Sequence, residues 1–173
     1  PFGALLEYPF GQVLSCSPEQ FLQLRDGHVQ TRPIKGTRPR GDSAHSDQAM
    51  RAQLLSSAKD RAENLMIVDL LRNDLGKVCE PGSIDVPGLF EVESFATVHH
   101  LVSTVTGHLR GGCDALDLIS ACFPGGPITG APKRRAMQII DELEPVRREV
   151  YCGSVICLGF DGNLDSRDRK SVV

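Results

Sequence analysis

The residues that could do chemistry fall into four short strings. Lys35 lies in Thr31-Arg32-Pro33-Ile34-Lys35-Gly36-Thr37-Arg38-Pro39-Arg40, beside a glycine that lets another group approach the backbone closely. A solvated basic loop has the same composition. Asp60 and Glu63 lie three apart in Lys59-Asp60-Arg61-Ala62-Glu63-Asn64-Leu65, so they share one face of a helix. Ala62 and Leu65 flank Glu63, which places a carboxylate near an apolar edge, where it wants a partner. That partner is a hard cation, a buried arginine, or Lys59 on a solvated face. Phe123-Pro124-Gly125-Gly126-Pro127-Ile128-Thr129-Gly130-Ala131-Pro132-Lys133 is a glycine-rich turn entering a helix, and such a turn suits an anion. It lacks the Gly-Lys-Ser/Thr of a phosphate loop, and Pro132 removes an amide donor, so a carboxylate is the better guest. His99 and His100 are adjacent in a strand pattern, so they face opposite sides and at most one enters a site. An amine, one or two carboxylates, a histidine and an anion cradle would equip elimination or substitution on a small polyanion, helped by Mg²⁺.

These groups need elements to hold them. Residues 11–16 and 20–25 read as strands, and Asp26-Gly27 is a hairpin signal with a return strand from His28 to Thr31. Pro33 to Asp42 reads as a loop. From Ser46 to Asn73, Leu54, Ala58, Ala62, Leu65 and Val68 make one apolar stripe, which predicts a single long helix stopped at Gly76. Residues 84–92 read as extended and broken at Pro87-Gly88. Val98 to Leu109 alternates as a strand. Asp114 caps a helix to Cys122, and a further helix carries Met137, Ile140 and Leu143 up to Pro145. Val150 to Phe160 reads as a strand, followed by the turn signal Asp161-Gly162. The order predicts an α+β domain with largely antiparallel sheet packed with helices.

Composition narrows the classes. Hydrophobic residues at 40% and charged residues at 24% are ordinary globular usage, which excludes intrinsic disorder. A net charge of −3 argues against a nucleic-acid partner. No apolar run approaches the roughly 20 residues that span a bilayer, so no membrane role is expected. No basic-then-apolar signal opens the sequence, so the six cysteines are expected to be reduced thiols in a cytoplasmic protein; they contain no Cys-x-x-Cys pair, which argues against structural zinc.

Ser17-Pro18-Glu19, Pro-Ile-Lys-Gly-Thr at 33–37, Lys-Asp-Arg-Ala-Glu-Asn at 59–64, Leu-Arg-Asn-Asp at 71–74, His-His-Leu-Val-Ser at 99–103 and Pro-Gly-Gly-Pro-Ile-Thr-Gly-Ala-Pro-Lys at 124–133 together resemble the chorismate-utilising enzymes. Within them the match is to the branch that forms 4-amino-4-deoxychorismate for p-aminobenzoate and folate synthesis. Anthranilate synthases resemble Pro-Ile-Ala-Gly-Thr where this sequence has Lys35, and the isochorismate and salicylate synthases lack that lysine. The resemblance implies the chorismate-binding fold. It implies that Lys35 attacks C2 of chorismate, that Glu19 is the acid for the departing C4 hydroxyl, and that His100 lies near the ring. Thr129 with the Gly130 amide, and Tyr151, would contact substrate. Glu63 would ligate Mg²⁺, with Asp60 behind it. A glutamine amidotransferase would supply ammonia.

Only a neutral amine attacks, and a free lysine near pKa ~10.4 is almost wholly protonated at neutral pH. Lys35 is therefore expected to be buried, or to have Arg32 or Arg38 as a cationic neighbour. The resemblance covers residues 1–166 as a partial catalytic domain and leaves 167–173 as a tail outside it. Ser166 to Val173 is charged and lacks alternation, so the hairpin partner of the preceding strand is expected to be missing. The family's Ile-Arg-Thr strand, second metal-binding glutamate and large N-terminal portion are not in this sequence, and the chain alone is expected to have no useful turnover.

Overall fold

The computed structural model describes residues 2–168. Its organising element is a long strand, β7 (Val98–His108), whose alternating residues are buried on one side or the other. One edge of β7 pairs with β6 (Asp85–Ser94). Its other edge takes β4 (His28–Arg32) and then β5 (Ile34–Pro39) end to end, with Pro33 between them. The sheet continues from β4 to β3 (Gln20–Arg25), then β9 (Leu164–Asp168), then β8 (Ser154–Leu158) at the far edge. A separate hairpin joins β1 (Phe2–Tyr8) to β2 (Gly11–Ser17). Every pairing between these strands is antiparallel, as the α+β reading expects.

Helices α1 (Ala44–Ser56) and α2 (Ala58–Leu75) pack on β5 and β7. The single helix expected over 46–73 is thus two. Ser57 is the reason: its extended backbone ends α1, and its side chain accepts the Asp60 amide to start α2. Such a cap is worth about 1 kcal/mol. Gly76 ends α2 as expected. Asp114 begins α3 (Ala115–Cys122) with a reciprocal capping box to Asp117. A short turn, α4 (Gly126–Thr129), leads into α5 (Lys133–Leu143). Ile67, Val68, Leu71 and Leu75 of α2 close over Leu22, Val29, Val105 and Leu164 of the sheet and Leu118 of α3. Fully burying a side chain of this size contributes about 1.5–3 kcal/mol. Among the described residues no helix is long and apolar enough to cross a membrane.

Two further expectations are corrected. The segment expected as a loop over 33–42 contains β5, whose strand character comes from pairing with β7 rather than from its Pro, Gly and Arg content. The hairpin partner expected to be missing is present: β9 pairs with β8 from Leu158↔Leu164 to Ser154↔Asp168, and with β3 on its other edge. Alternation is there in burial rather than in hydropathy, because Leu164, Ser166 and Asp168 all point into the protein. Ser166 can be buried because its hydroxyl donates to the Leu22 carbonyl at 3.2 Å and accepts the Leu22 amide at 3.1 Å. Asp168 accepts a hydrogen bond from the Ser154 hydroxyl at 3.0 Å. Arg167 and Asp168 therefore belong to the sheet, whereas the rest of the expected tail, 169–173, lies outside the described residues.

Candidate active site

Lys35 sits on an irregularity in β5. Ile34 opposes Val102 and Thr37 opposes His100, so Lys35 and Gly36 together face the single residue Leu101. Such a bulge bends the strand and re-aims a side chain. Gly36 makes it possible: its φ is +92°, and a Cβ there would lie 2.9 Å from both Asp60 Cγ and Leu54 Cδ1. Lys35 is half-buried, rather than buried as expected. Both arginines expected to act on it are already paired, Arg32 with Glu93 and Arg38 with Asp60 at 3.0 Å. A compensated cation exerts little net field on a neighbouring amine.

Glu19 is buried and accepts the Ile34 amide at 3.1 Å, which ties it to the residue before Lys35. Its own amide donates to Ser17 Oγ at 3.2 Å. His100 packs its ring against Phe95 at 5.5 Å, and its Nδ1 shares a hydrogen bond with Thr37 Oγ1 at 2.8 Å. Burial pulls His100 below its ordinary value, with Glu93 and Glu19 pulling the other way. That direction favours the neutral imidazole, which can act as a donor or an acceptor. His99 faces the opposite side, fully buried, between Asp47 Oδ1 and Ser94 Oγ at 2.8 Å each. The structure thus brings Glu19, from the turn between β2 and β3, together with Lys35 and Thr37 of β5 and His100 of β7.

Glu63 has the open face its pattern allowed: its carboxylate is 44% exposed and lies 3.9 Å from Lys59. Asp60 is committed to Arg38, and its amide to the Ser57 cap. Among the described residues no group of three or more His, Cys, Asp or Glu side chains could hold a metal. Magnesium is satisfied by one or two carboxylates with water and substrate oxygens, so Glu63 fits as one ligand and not as a complete site.

Thr129 and Tyr151 line a different cleft, of about 670 Å³, with Phe123, Pro124, Met137 and Arg148. The Gly130 amide expected to hold a carboxylate donates instead to the Gly126 carbonyl at 2.9 Å. The amides of Ile128 and Thr129 are likewise spent on Gly125. A single helical turn consumes them, which leaves the Thr129 hydroxyl, shared between the Gly125 and Gly130 carbonyls, as the polar group of the loop. Tyr151 is exposed, and the Cys152 thiol beside it pushes its phenol upward.

One group of charges was invisible in the sequence. Asp74 is buried and binds two lysines, Lys133 and, at 2.8 Å, Lys77. Its partners lie three and 59 residues away, and nothing local joins the Leu-Arg-Asn-Asp string that holds Asp74 to the Ala-Pro-Lys string that holds Lys133.

A family profile for chorismate binding enzymes matches residues 1–167. The chain is 61% identical over 166 residues to aminodeoxychorismate synthase component 1 of Klebsiella aerogenes, covering 96% of this chain and 37% of that protein. It is 48% identical over 165 residues to anthranilate synthase component 1 of Aquifex aeolicus, covering 95% of this chain and 33% of that one. The crystal structure of anthranilate synthase component I from Streptococcus pneumoniae superposes with a TM-score of 0.85 at 38% identity, over 96% of this chain and 36% of that one. The chain thus spans about a third of the length of each of these three relatives. With Lys35 on β5, His100 on β7, Glu19 holding the Ile34 amide, and this match along nearly its whole length, the chain belongs to the chorismate binding enzyme family.

Proposed function

We propose that this chain carries the nucleophile, and the acid beside it, of a component 1 aminodeoxychorismate synthase, which turns chorismate and ammonia into 4-amino-4-deoxychorismate. The observation that carries the reading is Lys35, set on a bulge with no hydrogen bond or ion pair to its side chain among the described residues, and tied through Ile34 to Glu19. In this reaction the neutral Lys35 amine bonds to C2 of the ring, and both ring double bonds shift by one position as the C4–oxygen bond breaks and the C4 hydroxyl leaves. Glu19 gives that hydroxyl its proton. Ammonia then bonds to C4, both double bonds return to their first positions, and the C2–nitrogen bond breaks to release Lys35. The product keeps its enolpyruvyl ether. His100, held by Thr37, donates to or accepts from the ring substituents.

Thr129 and Tyr151 contact substrate in this reading. Glu63 gives Mg²⁺ one carboxylate, and the ion when bound holds and neutralises a substrate carboxylate. Asp60, being paired to Arg38, shapes the bulge rather than binding the ion. Ammonia comes from a glutamine amidotransferase component in the cytoplasm. The relatives' designation as component 1 supports a partner component.

The test compares the full-length gene product with its Lys35→Met variant, given chorismate, Mg²⁺ and ammonium, with products separated by chromatography. The expected result is 4-amino-4-deoxychorismate from the parent and at least a thousandfold less from the variant. Anthranilate from the parent, or an unchanged rate from the variant, would overturn the assignment.

A further inference from the structure

Helix α3 ends at Cys122 and α5 begins at Lys133, and the ten residues between them carry Thr129. The two ends of that loop are tied to each other. Lys133 Nζ donates to the Cys122 carbonyl at 2.9 Å and also reaches Asp74 in α2. Lys77 Nζ bridges the same carboxylate to the Ala121 carbonyl at 3.3 Å. The last carbonyls of a helix have no partner within it and carry partial negative charge, so two ammonium groups are well placed there. Asp74 balances the cations from below. The Lys133 end is largely shielded from water, with Lys133 and Asp74 side chains only 15% and 4% exposed, whereas Lys77 stays open to solvent; burial together with Asp74 pushes the Cys122 thiol up to about 12.

The loop has little freedom elsewhere. A Cβ on Gly126 would lie 2.9 Å from Leu70 Cδ1, and one on Gly125 would lie 2.7 Å from Asp168 Oδ2. The backbone is thus seated directly on α2 and on the end of β9. Among the described residues, Lys133 and Lys77 are the side chains that join Asp74 to the α3 end of this seat, but only Lys133 also belongs to the loop's far end.

We infer that Lys133, anchored on buried Asp74, is a positioning residue that clasps the Phe123–Pro132 loop shut and so fixes Thr129 in the substrate cleft. The inference rests on the proposed reading that Thr129 contacts substrate. The clasp itself does not.

Lys133→Met keeps the length of the side chain and removes its charge, while Lys77 still partners Asp74, so no carboxylate is left buried alone. Lys77→Met takes the same charge from the same carboxylate without touching the loop's far end. Both variants are made in the full-length gene product, and two quantities are measured. The first is hydrogen exchange of the peptide containing residues 123–132. The second is KM and kcat for chorismate. Lys133→Met should speed exchange in that peptide and raise KM roughly tenfold, equivalent to about 1.4 kcal/mol of binding, with kcat nearly unchanged. Lys77→Met should do neither. Equal effects of the two variants, or unchanged exchange in Lys133→Met, would overturn the clasp. Faster exchange in Lys133→Met alone, with KM unchanged, would uphold the clasp and overturn the placement of Thr129 against substrate.

Discussion

Gly36 is the residue on which the geometry of Lys35 depends, and replacing it by alanine gives a number to test. At φ +92° an L side chain is strained by about 1–2 kcal/mol. The new methyl would also lie 2.9 Å from Leu54 Cδ1 and Asp60 Cγ. Overpacking of this kind costs about 1–3 kcal/mol, because Leu54 is fully buried and Asp60 is held by Arg38. Against this, alanine reduces the freedom of the unfolded chain, which favours folding by about 0.4–1 kcal/mol. The net loss for Gly36→Ala is about 1–5 kcal/mol by these ranges. Gly27→Ala is the control: its φ is +79°, but nothing lies within 4 Å of the added methyl. It should lose only the strain, offset by the same gain, about 0–2 kcal/mol. Urea melts of the two variants against the parent give both losses from the midpoints, provided the slope is unchanged. The gap between them is the cost of crowding at the bulge. If Gly36→Ala is no worse than Gly27→Ala, the close seat of β5 on α1 and α2 is wrong, and with it the role of Gly36 in making the bulge possible.

Ser166→Ala leaves the buried amide and carbonyl of Leu22 without their side-chain partner, and a urea midpoint should report a loss of about 1–3 kcal/mol. Glu63→Ala removes only an exposed pair with Lys59, so stability should change by less than about 0.5 kcal/mol, while the Mg²⁺ dependence of chorismate turnover by the full-length gene product is lost. Asp47 is held well below the usual carboxylate range, first by its hydrogen bonds from Arg40, then by the Gly41 amide and by His99. Its stabilising effect is in place above the unfolded value near pH ~4 and is lost as pH falls towards the folded value. Asp47→Asn should therefore flatten the acid limb of a stability profile, measured by urea melts below pH ~5, and leave its neutral and alkaline parts parallel to the parent's.

Where local chemistry decided the structure, the sequence could be read. Asp26-Gly27 turned β3 into β4 because both residues take positive φ, and Asp114 started α3 because its carboxylate reaches two free amides. Reading failed where a distant partner decided. Arg32 and Arg38 looked like free cations beside Lys35, but Glu93 and Asp60, 61 and 22 residues away, neutralise them. β5 has poor strand propensity and exists because β7 offers it an edge. The stretch from Ser166 read as charged and without alternation because nothing local reveals that Leu22 and Ser154 will satisfy Ser166 and Asp168. His99 and His100 could be separated by parity along the strand, and the structure keeps that division, with His99 locked to Asp47 and His100 left beside Thr37.

The position of β9 between β3 and β8 bears on how the chain comes off the ribosome. β3 and its partner Ser166 are 144 residues apart in sequence. At about 5–20 residues per second, roughly 7–29 s pass between synthesis of one and synthesis of the other. For that interval β3 has β4 on one side and an open edge on the other, with Leu22 exposed in the middle of it. An open apolar edge is a template for pairing with the wrong strand, including the same strand of a neighbouring nascent chain. Crowded polysomes should therefore be the setting in which this protein aggregates, and slowing translation before residue 164 should worsen its yield, whereas slowing it after residue 168 should not.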